Sequence, residues 1–425
     1  MDQGMEVNVD LDTTTSEILL AATNHDTETL KTLLKTGSAN VRDEDTGTTP
    51  LHAALLACED ADVTEEAQGE GDEGDAISGK ALQEEGAMRT IRLLFENGAI
   101  WNDLDANNET PGCLALRLGL KQAYELIVEA GVRAELLLNR LDEFEMLGDA
   151  DEDERMDDGE EYVEVAMQNG HDLTEAEHTN GVDGHGEEVP ELVEVSKSMV
   201  DLEADVTSAR YLASELTFGG DRLLDADDNG VMMAWETDLM RQSADLLVAG
   251  EGKRVLNVGH GMGIIDGILQ EKKPAEHHII EAHPAVLERL RSQGWDTRPG
   301  VHVHEGRWQD VVPNLVAEGT MFDAIYFDTF AEDYKDLREF FSEYVISLLD
   351  PDGRFGFFNG LGADRQICYD VYTKIVEMDL FEAGLDTEWK EINVSDLDKA
   401  GEWEGVRRKY WALPTYRLPV CTFIG

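Results

Sequence analysis

Two carboxylates and a glycine-rich turn carry the chemistry open to this sequence. Glu236 lies in the Met/Trp cluster Val231-Met232-Met233-Ala234-Trp235-Glu236-Thr237, and Asp328 ends the apolar run Phe322-Asp323-Ala324-Ile325-Tyr326-Phe327. An acid in apolar surroundings is costly to bury unpaired, so Glu236 calls for a cation or for exposure. Two carboxylates can grip the N–H groups of a planar cation by paired hydrogen bonds, and one can accept a departing proton. Asp323 precedes the core of its run and reads as a turn residue.

Between the two acids an apolar run enters Gly259-His260-Gly261-Met262-Gly263, and an apolar helix follows from Ile264-Ile265-Asp266. Glycine lets the backbone turn tightly and approach a ligand without a Cβ in the way. Glu281 stands twenty residues beyond Gly261, followed by Ala282 and His283. That is where a nucleotide-binding α/β unit places the carboxylate that holds the ribose hydroxyls. A nicotinamide enzyme meets both conditions equally well. After the third run, Trp308 can cover an adenine and Gln309 bond its edge; alternatively, Trp308 packs the following helix.

These residues need a sheet to present them. Strands are expected at 254–258, 278–281, 301–304, 322–327 and 354–358, alternating with helices, and later near 387–394 and 416–424. Alternation of this kind implies a largely parallel sheet covered by helices, with the last strands turning antiparallel. The fold class is α/β, a Rossmann-like domain preceded by an all-α domain.

The all-α part shows a degenerate repeat. Leu33-Leu34 leads to Gly37, and Thr49-Pro50-Leu51-His52-Ala53-Ala54 follows; Leu93-Leu94 leads to Gly98, and Thr110-Pro111 follows at the same spacing. A third copy, Leu126 to Gly131, puts its glycine 33 residues after Gly98, the ankyrin period. Proline at a first helical turn forfeits no needed hydrogen bond, and glycine permits a left-handed cap. So short a stack must lean on something else, and the catalytic half is the expected support. The division expected is residues 1–140 as ankyrin repeats with an acidic inserted loop at 59–86, 141–196 as an acidic, mobile linker, and 197–425 as the catalytic domain. In 142–196 the only Lys or Arg is Arg155; so charged a stretch cannot fold alone.

The formal charge of −57 repels nucleic acid and anionic lipid and attracts basic partners. Cys58, Cys113, Cys368 and Cys421 are far apart, which suggests neither zinc nor a disulfide framework and fits a reducing compartment. No apolar run approaches the roughly 20 residues that span a bilayer, and residues 1–10 lack the pattern of a signal peptide.

Taken together, VMMAWETDLM, NVGHGMGIID, IIEAHP, GRWQDV, YFDTF and FNGLGADRQICYDVY resemble the fungal type IV protein arginine N-methyltransferases, which carry a guanidinoacetate-methyltransferase-like domain behind ankyrin repeats. The resemblance implies transfer of a methyl group from S-adenosyl-L-methionine to the internal, δ nitrogen of arginine in a large-subunit ribosomal protein, within cytoplasm and nucleus. It places Met232, Gly259 to Asp266, Glu281 to His283, Trp308, Gln309 and Asp328 around the cofactor, with Tyr211 or Phe218 closing over the adenosine. Glu236 and Asp328 match the acids that hold a guanidino group. His260 stands where the family has Phe and is expected to contribute ring surface. The other readings are a small-guanidine methyltransferase, which the repeats argue against, and an inactive ankyrin scaffold, which the intact motifs argue against.

Overall fold

The computed structural model describes residues 7–59, 73–150 and 207–425, with side chains for 13–59, 84–138 and 207–425. The first half is helical: α1 (Val7–Thr23), α2 (Thr27–Leu33), α3 (Pro50–Leu56), α4 (Glu73–Glu96), α5 (Pro111–Arg117) and α6 (Lys121–Ala150). Both Thr-Pro pairs open helices. Thr110 Oγ1 accepts the Cys113 N–H at 3.1 Å, capping α5. Thr49 Oγ1 bonds His52 Nδ1 at 2.8 Å, and His52 Nε2 donates to the Glu109 carbonyl at 3.0 Å, tying one helical hairpin to the next.

Three expectations for this half change. Residues 73–86, expected as loop, form the first half of α4; Ala, Leu, Gln, Glu and Lys there are good helix formers. The rest of that insertion, and the acidic linker from residue 151 to 196, lie outside the described residues, while 141–150 continue α6. Gly98 is left-handed at φ +80°, as a cap requires, but Gly37 and Gly131 are not. Gly131 lies inside α6 and is small for a packing reason given below.

The second half begins with α7 (Ser208–Leu212) and an antiparallel sheet of β1 (Thr217–Phe218), β2 (Arg222–Leu224) and β3 (Gly230–Met233). A 3-10 turn, Ala234–Glu236, then enters α8 (Thr237–Leu247). The alternating part runs β4 (Arg254–Val258), α9 (Ile264–Glu271), β5 (Glu276–Glu281), α10 (Pro284–Ser292), β6 (Val301–Glu305), α11 (Trp308–Ala317), β7 (Phe322–Phe327), α12 (Tyr334–Glu339) and β8 (Leu349–Phe357). It closes with α13 (Gln366–Glu382), β9 (Leu385–Asn393), α14 (Leu397–Ala400) and β10 (Thr415–Phe423).

The large sheet has seven strands in the order β6-β5-β4-β7-β8-β10-β9. The first five are parallel, and β10 pairs antiparallel with both β8 and β9. Chain order reverses at β4, with β5 on one side and β7 on the other. In open α/β sheets the crevice at such a point, beyond the carboxyl ends of the strands, takes the ligand.

The two halves share one apolar core. Ile367, Cys368, Val371 and Ile375 of α13 pack with Leu114, Ala123 and Ile127 of α5 and α6. A Cβ on Gly112 would fall 2.4 Å from Ile367, and one on Gly131 would fall 2.8 Å from Val371. Both glycines therefore admit α13. Tyr124 adds a hydrogen bond across the seam, donating to Asp370 Oδ2 at 2.6 Å. Among the described residues no helix is long and apolar enough to cross a membrane.

Candidate active site

The loop after β4 is built for close approach. Gly259, Gly261 and Gly263 have φ of +95°, +53° and +78°, a region L side chains rarely adopt. A Cβ on Gly259 would lie 1.9 Å from the Asp328 carbonyl oxygen, so only glycine lets the ends of β4 and β7 meet here. The backbone ties the ends of four neighbouring strands, β6, β5, β4 and β7, together: Gly259 N–H donates to Ile280 O, Asp328 N–H to Val258 O and Gly306 N–H to Glu281 O, each at 2.9 Å.

Glu281 is buried at the end of β5. Its Oε2 accepts the N–H groups of His260 (2.9 Å) and Gly261 (3.3 Å), and its Oε1 accepts that of His283 (2.7 Å). A carboxylate offers about four lone-pair sites, so the side chain orders the glycine loop and still has acceptor capacity for ribose hydroxyls.

Tyr211 covers this corner. Its ring lies 4.8 Å from that of His283 and 5.0 Å from that of Phe330. His283 Nε2 donates to the Tyr211 carbonyl at 3.1 Å, while its Nδ1 accepts the Ala285 N–H at 3.1 Å, which sets the tautomer. Burial, then the charge of Glu281, raises the Tyr211 phenol. Across the loop, Met232 Sδ accepts the Met262 N–H at 3.3 Å and its methyl abuts Gly261. Ala282 and Ile264 are half-buried at the rim.

Other expected cofactor residues turn inward. His260 is buried, its Nδ1 on Asp266 Oδ2 at 2.6 Å and its ring edge-on to Trp295. Asp266 is fully buried and also meets His277 Nε2 at 2.8 Å and Asn257 Nδ2 at 2.9 Å. Burial pushes this carboxyl up, but the bonds from His260 and His277 outweigh it and hold it at about 2. His260 and Asp266 therefore fasten the loop from behind instead of facing the crevice. Ile265 belongs to the core.

Trp308 also differs from the adenine-covering role expected of it. It is buried edge-on to Phe340 and Phe327, with Nε1 donating to Glu332 at 3.0 Å. Its neighbour Gln309 donates to Glu332 and Asp336, both at 3.2 Å, and its Oε1 is buried without a partner. Phe218 lies under the Arg289 guanidinium, 4.6 Å from it, away from Tyr211's stack. Phe330, quoted above only as part of YFDTF, and Glu332 are given no role by the sequence; the run Asp-Thr-Phe-Ala-Glu directly after a strand end is the available signal.

The two acids are close enough for the charge of one to act on the other. Asp328 follows β7, and although the residue is half-buried, its Oδ2 is inaccessible and has no hydrogen-bond partner. Glu236, buried at the end of the 3-10 turn, accepts the Met233 N–H at 2.9 Å on Oε1 and a bond from the Tyr410 hydroxyl on the same oxygen. Burial raises both carboxyls, and the charge of Asp328 raises Glu236 further. Among the described residues neither acid has a Lys or Arg in an ion pair.

Residues 209–402 match the family model described as guanidinoacetate N-methyltransferase. Over nearly its full length the chain is similar to the protein arginine N-methyltransferase 2 of Emericella nidulans, at 54% identity across 98% of each chain. That of Aspergillus oryzae is also 54% identical, across 100% of this chain and 99% of its own. The chain belongs to the protein arginine N-methyltransferase 2 family. It is an S-adenosylmethionine-dependent methyltransferase with arginine as the residue methylated. A solved O-methyltransferase, TomG from Streptomyces achromogenes in complex with S-adenosylmethionine, aligns at 17% identity and a TM-score of 0.32, over 46% of this chain and 82% of that one. In family terms, the glycine loop, Glu281 and the Tyr211 cover suit the adenosine part of the cofactor, and the unpartnered Asp328 oxygen suits a cationic acceptor.

Proposed function

We propose that this chain methylates the internal, δ nitrogen of an arginine in a basic protein substrate, a large-subunit ribosomal protein by the family resemblance. The observation that carries the reading is the buried, unpartnered Oδ2 of Asp328, close enough to Glu236 for their charges to interact, with no Lys or Arg among the described residues ion-paired to either acid. A guanidinium has a pKa above 12, stays charged at working pH and presents a planar fork of N–H donors. Two carboxylates that grip its terminal nitrogens leave the internal nitrogen to be aimed.

Bound against the glycine loop, S-adenosylmethionine supplies an electrophilic methyl on a sulfonium. The residues of the chain do the rest. Glu281, itself fixed by the loop amides, would hold the donor's sugar in register, and Glu236 and Asp328 orient the acceptor so that its nitrogen lies in line, the main source of rate in such a displacement. Burial raises the proton affinity of Asp328, and its Oδ2 accepts the proton released as the N–C bond forms.

We read residues 1–140 as degenerate ankyrin repeats, on the 33-residue glycine spacing and the two Thr-Pro helix starts, and 197–425 as the catalytic domain. The repeats would offer a surface to a protein substrate, and the net negative charge would steer a basic one toward it. The test is mass spectrometry of the methylated product with fragmentation that separates internal from terminal nitrogen. Methyl found only on terminal nitrogens would refute the δ assignment. Preferred methylation of free guanidino acids over protein would favour a small-molecule enzyme instead.

A further inference from the structure

Glu236 is held by a residue that comes 174 positions later. The connection from β9 to β10, residues 394–414, folds back over the β2–β3 hairpin. Arg222 Nη1 donates to the Glu404 carbonyl at 2.5 Å, Arg407 N–H to the Asp228 carbonyl at 2.9 Å, and Arg407 Nε to Asn229 Oδ1 at 3.2 Å. This strap carries Tyr410 to the acid. Its ring is wedged edge-on to Trp403, 5.0 Å between centroids, and stacks on Trp235 at 6.0 Å. Gly230 leaves room for it, since a Cβ there would lie 3.0 Å from Tyr410 Cε1.

The Tyr410 hydroxyl and the Met233 N–H both address Oε1 of Glu236. We propose that Tyr410 is a positioning residue for methyl transfer: it saturates Oε1 and fixes the carboxylate plane, so that Oε2 is presented to the guanidino group. The proposal rests on the reading of Glu236 as a guanidinium-gripping acid.

Two further observations support it. Burial and the charge of Glu236 raise the Tyr410 phenol well above its ordinary value, so it remains a donor at any working pH. Its bond lowers the Glu236 carboxyl, opposing burial and Asp328, which raise it. Tyr410 thus favours the ionised form that a guanidinium needs. The other titratable groups that bear on Glu236 are Asp328 and Tyr326 at β7 and Tyr416 of β10.

The experiment is Tyr410→Phe in the full chain, which keeps the ring and removes the hydroxyl. Expected is a loss in kcat/KM for an arginine-bearing basic protein of roughly 10–100-fold, the worth of a hydrogen bond to a charged group. The acid limb of the pH profile should move to higher pH, because kcat/KM reports ionisations of the free enzyme. S-adenosylmethionine affinity by calorimetry should hold, which also certifies the fold. Glu236→Gln should be impaired alone, and adding Tyr410→Phe to it should cost little more, since the hydroxyl acts through the acid. A wild-type pH profile and kcat/KM for Tyr410→Phe, or additive losses in the double variant, would overturn the proposal. Full activity of Glu236→Gln would instead remove the acid's own role, and the proposal with it. Should Tyr410→Phe fail to bind S-adenosylmethionine, Gly230→Ala crowds the ring with the hydroxyl retained. The same upward shift, smaller, is expected there, and an unmoved profile would count against Tyr410.

Discussion

Replacing Asp328 by Asn should stabilise the free protein at alkaline pH while abolishing its activity. The Asp328 carboxyl is raised by burial, and its Oδ2 has no partner. A carboxyl whose folded pKa exceeds its unfolded value contributes stability below the unfolded pKa, about 3.9 for Asp. It loses that contribution as pH rises through the folded value. Asn does not titrate, so the variant escapes the loss. A tenfold change in proton affinity corresponds to about 1.4 kcal/mol, and the cost of ionising a buried carboxylate of this kind is roughly 2–4 kcal/mol. At about 2 °C per kcal/mol for a domain of this size, the variant should melt about 4–8 °C above wild type at pH 8.5. The gap should shrink toward pH 5, in both cases without substrate or cofactor. Differential scanning calorimetry across that range is the assay, with methyl transfer measured in parallel. If Asp328→Asn is less stable than wild type at pH 8.5, or the gap does not depend on pH, the carboxylate is already well solvated or paired. The argument that it awaits a guanidinium would then fail.

Three other outcomes follow from the same geometry. Glu281→Ala removes acceptors for ribose and for three loop amides at once, so S-adenosylmethionine should bind about 2–4 kcal/mol more weakly; unchanged calorimetric affinity would contradict the assignment. Gly259→Ala puts a Cβ 1.9 Å from the Asp328 carbonyl in a left-handed backbone, so it should part β4 from β7 and lose cofactor binding, as shown by calorimetry on whatever folds. Deleting residues 1–140 strips the cover from Ile367, Val371 and Ile375, and light scattering should show aggregation. A monodisperse truncated chain that binds S-adenosylmethionine at full affinity would show that the shared core is dispensable.

What could be read from the sequence follows the distance over which each interaction acts. The strands 254–258 and 322–327 appear with those bounds, and Gly259, Glu281 and Asp328 converge because each ends or directly follows a strand in the parallel part of one sheet. In such a sheet, position at a strand's end is already position in space. Asp323, expected as a turn residue, instead lies inside β7 near its opposite end, where it accepts from Lys253 Nζ at 3.0 Å and the Arg254 N–H at 2.9 Å on the side of the neighbouring strand, away from Asp328. His260 misled because spacing places its backbone in the loop but says nothing of its ring. The ring turns inward to Asp266, a fully buried carboxylate that His260, His277 and Asn257 together satisfy in an apolar interior. Gly131 looked like a helix end because the period matched, yet its small size answers to Val371, 240 residues away.

Glu236 shows where local reasoning stops and why the site works as it does. An acid in VMMAWET announces a need for a partner, but the partners are a backbone amide three residues back and a hydroxyl on a strap near the C-terminus. Neither carries charge. Burial with neutral donors only, beside a second carboxylate, leaves the free protein with negative charge it holds at some cost. A protein built for stability alone would place Arg or Lys there. Under the proposed function, a guanidinium entering between Glu236 and Asp328 would remove that cost on binding, and one carboxylate would take the proton released in methylation. Neutral support of Glu236 by Tyr410 would then keep the acid in place while leaving its charge for the substrate that we propose.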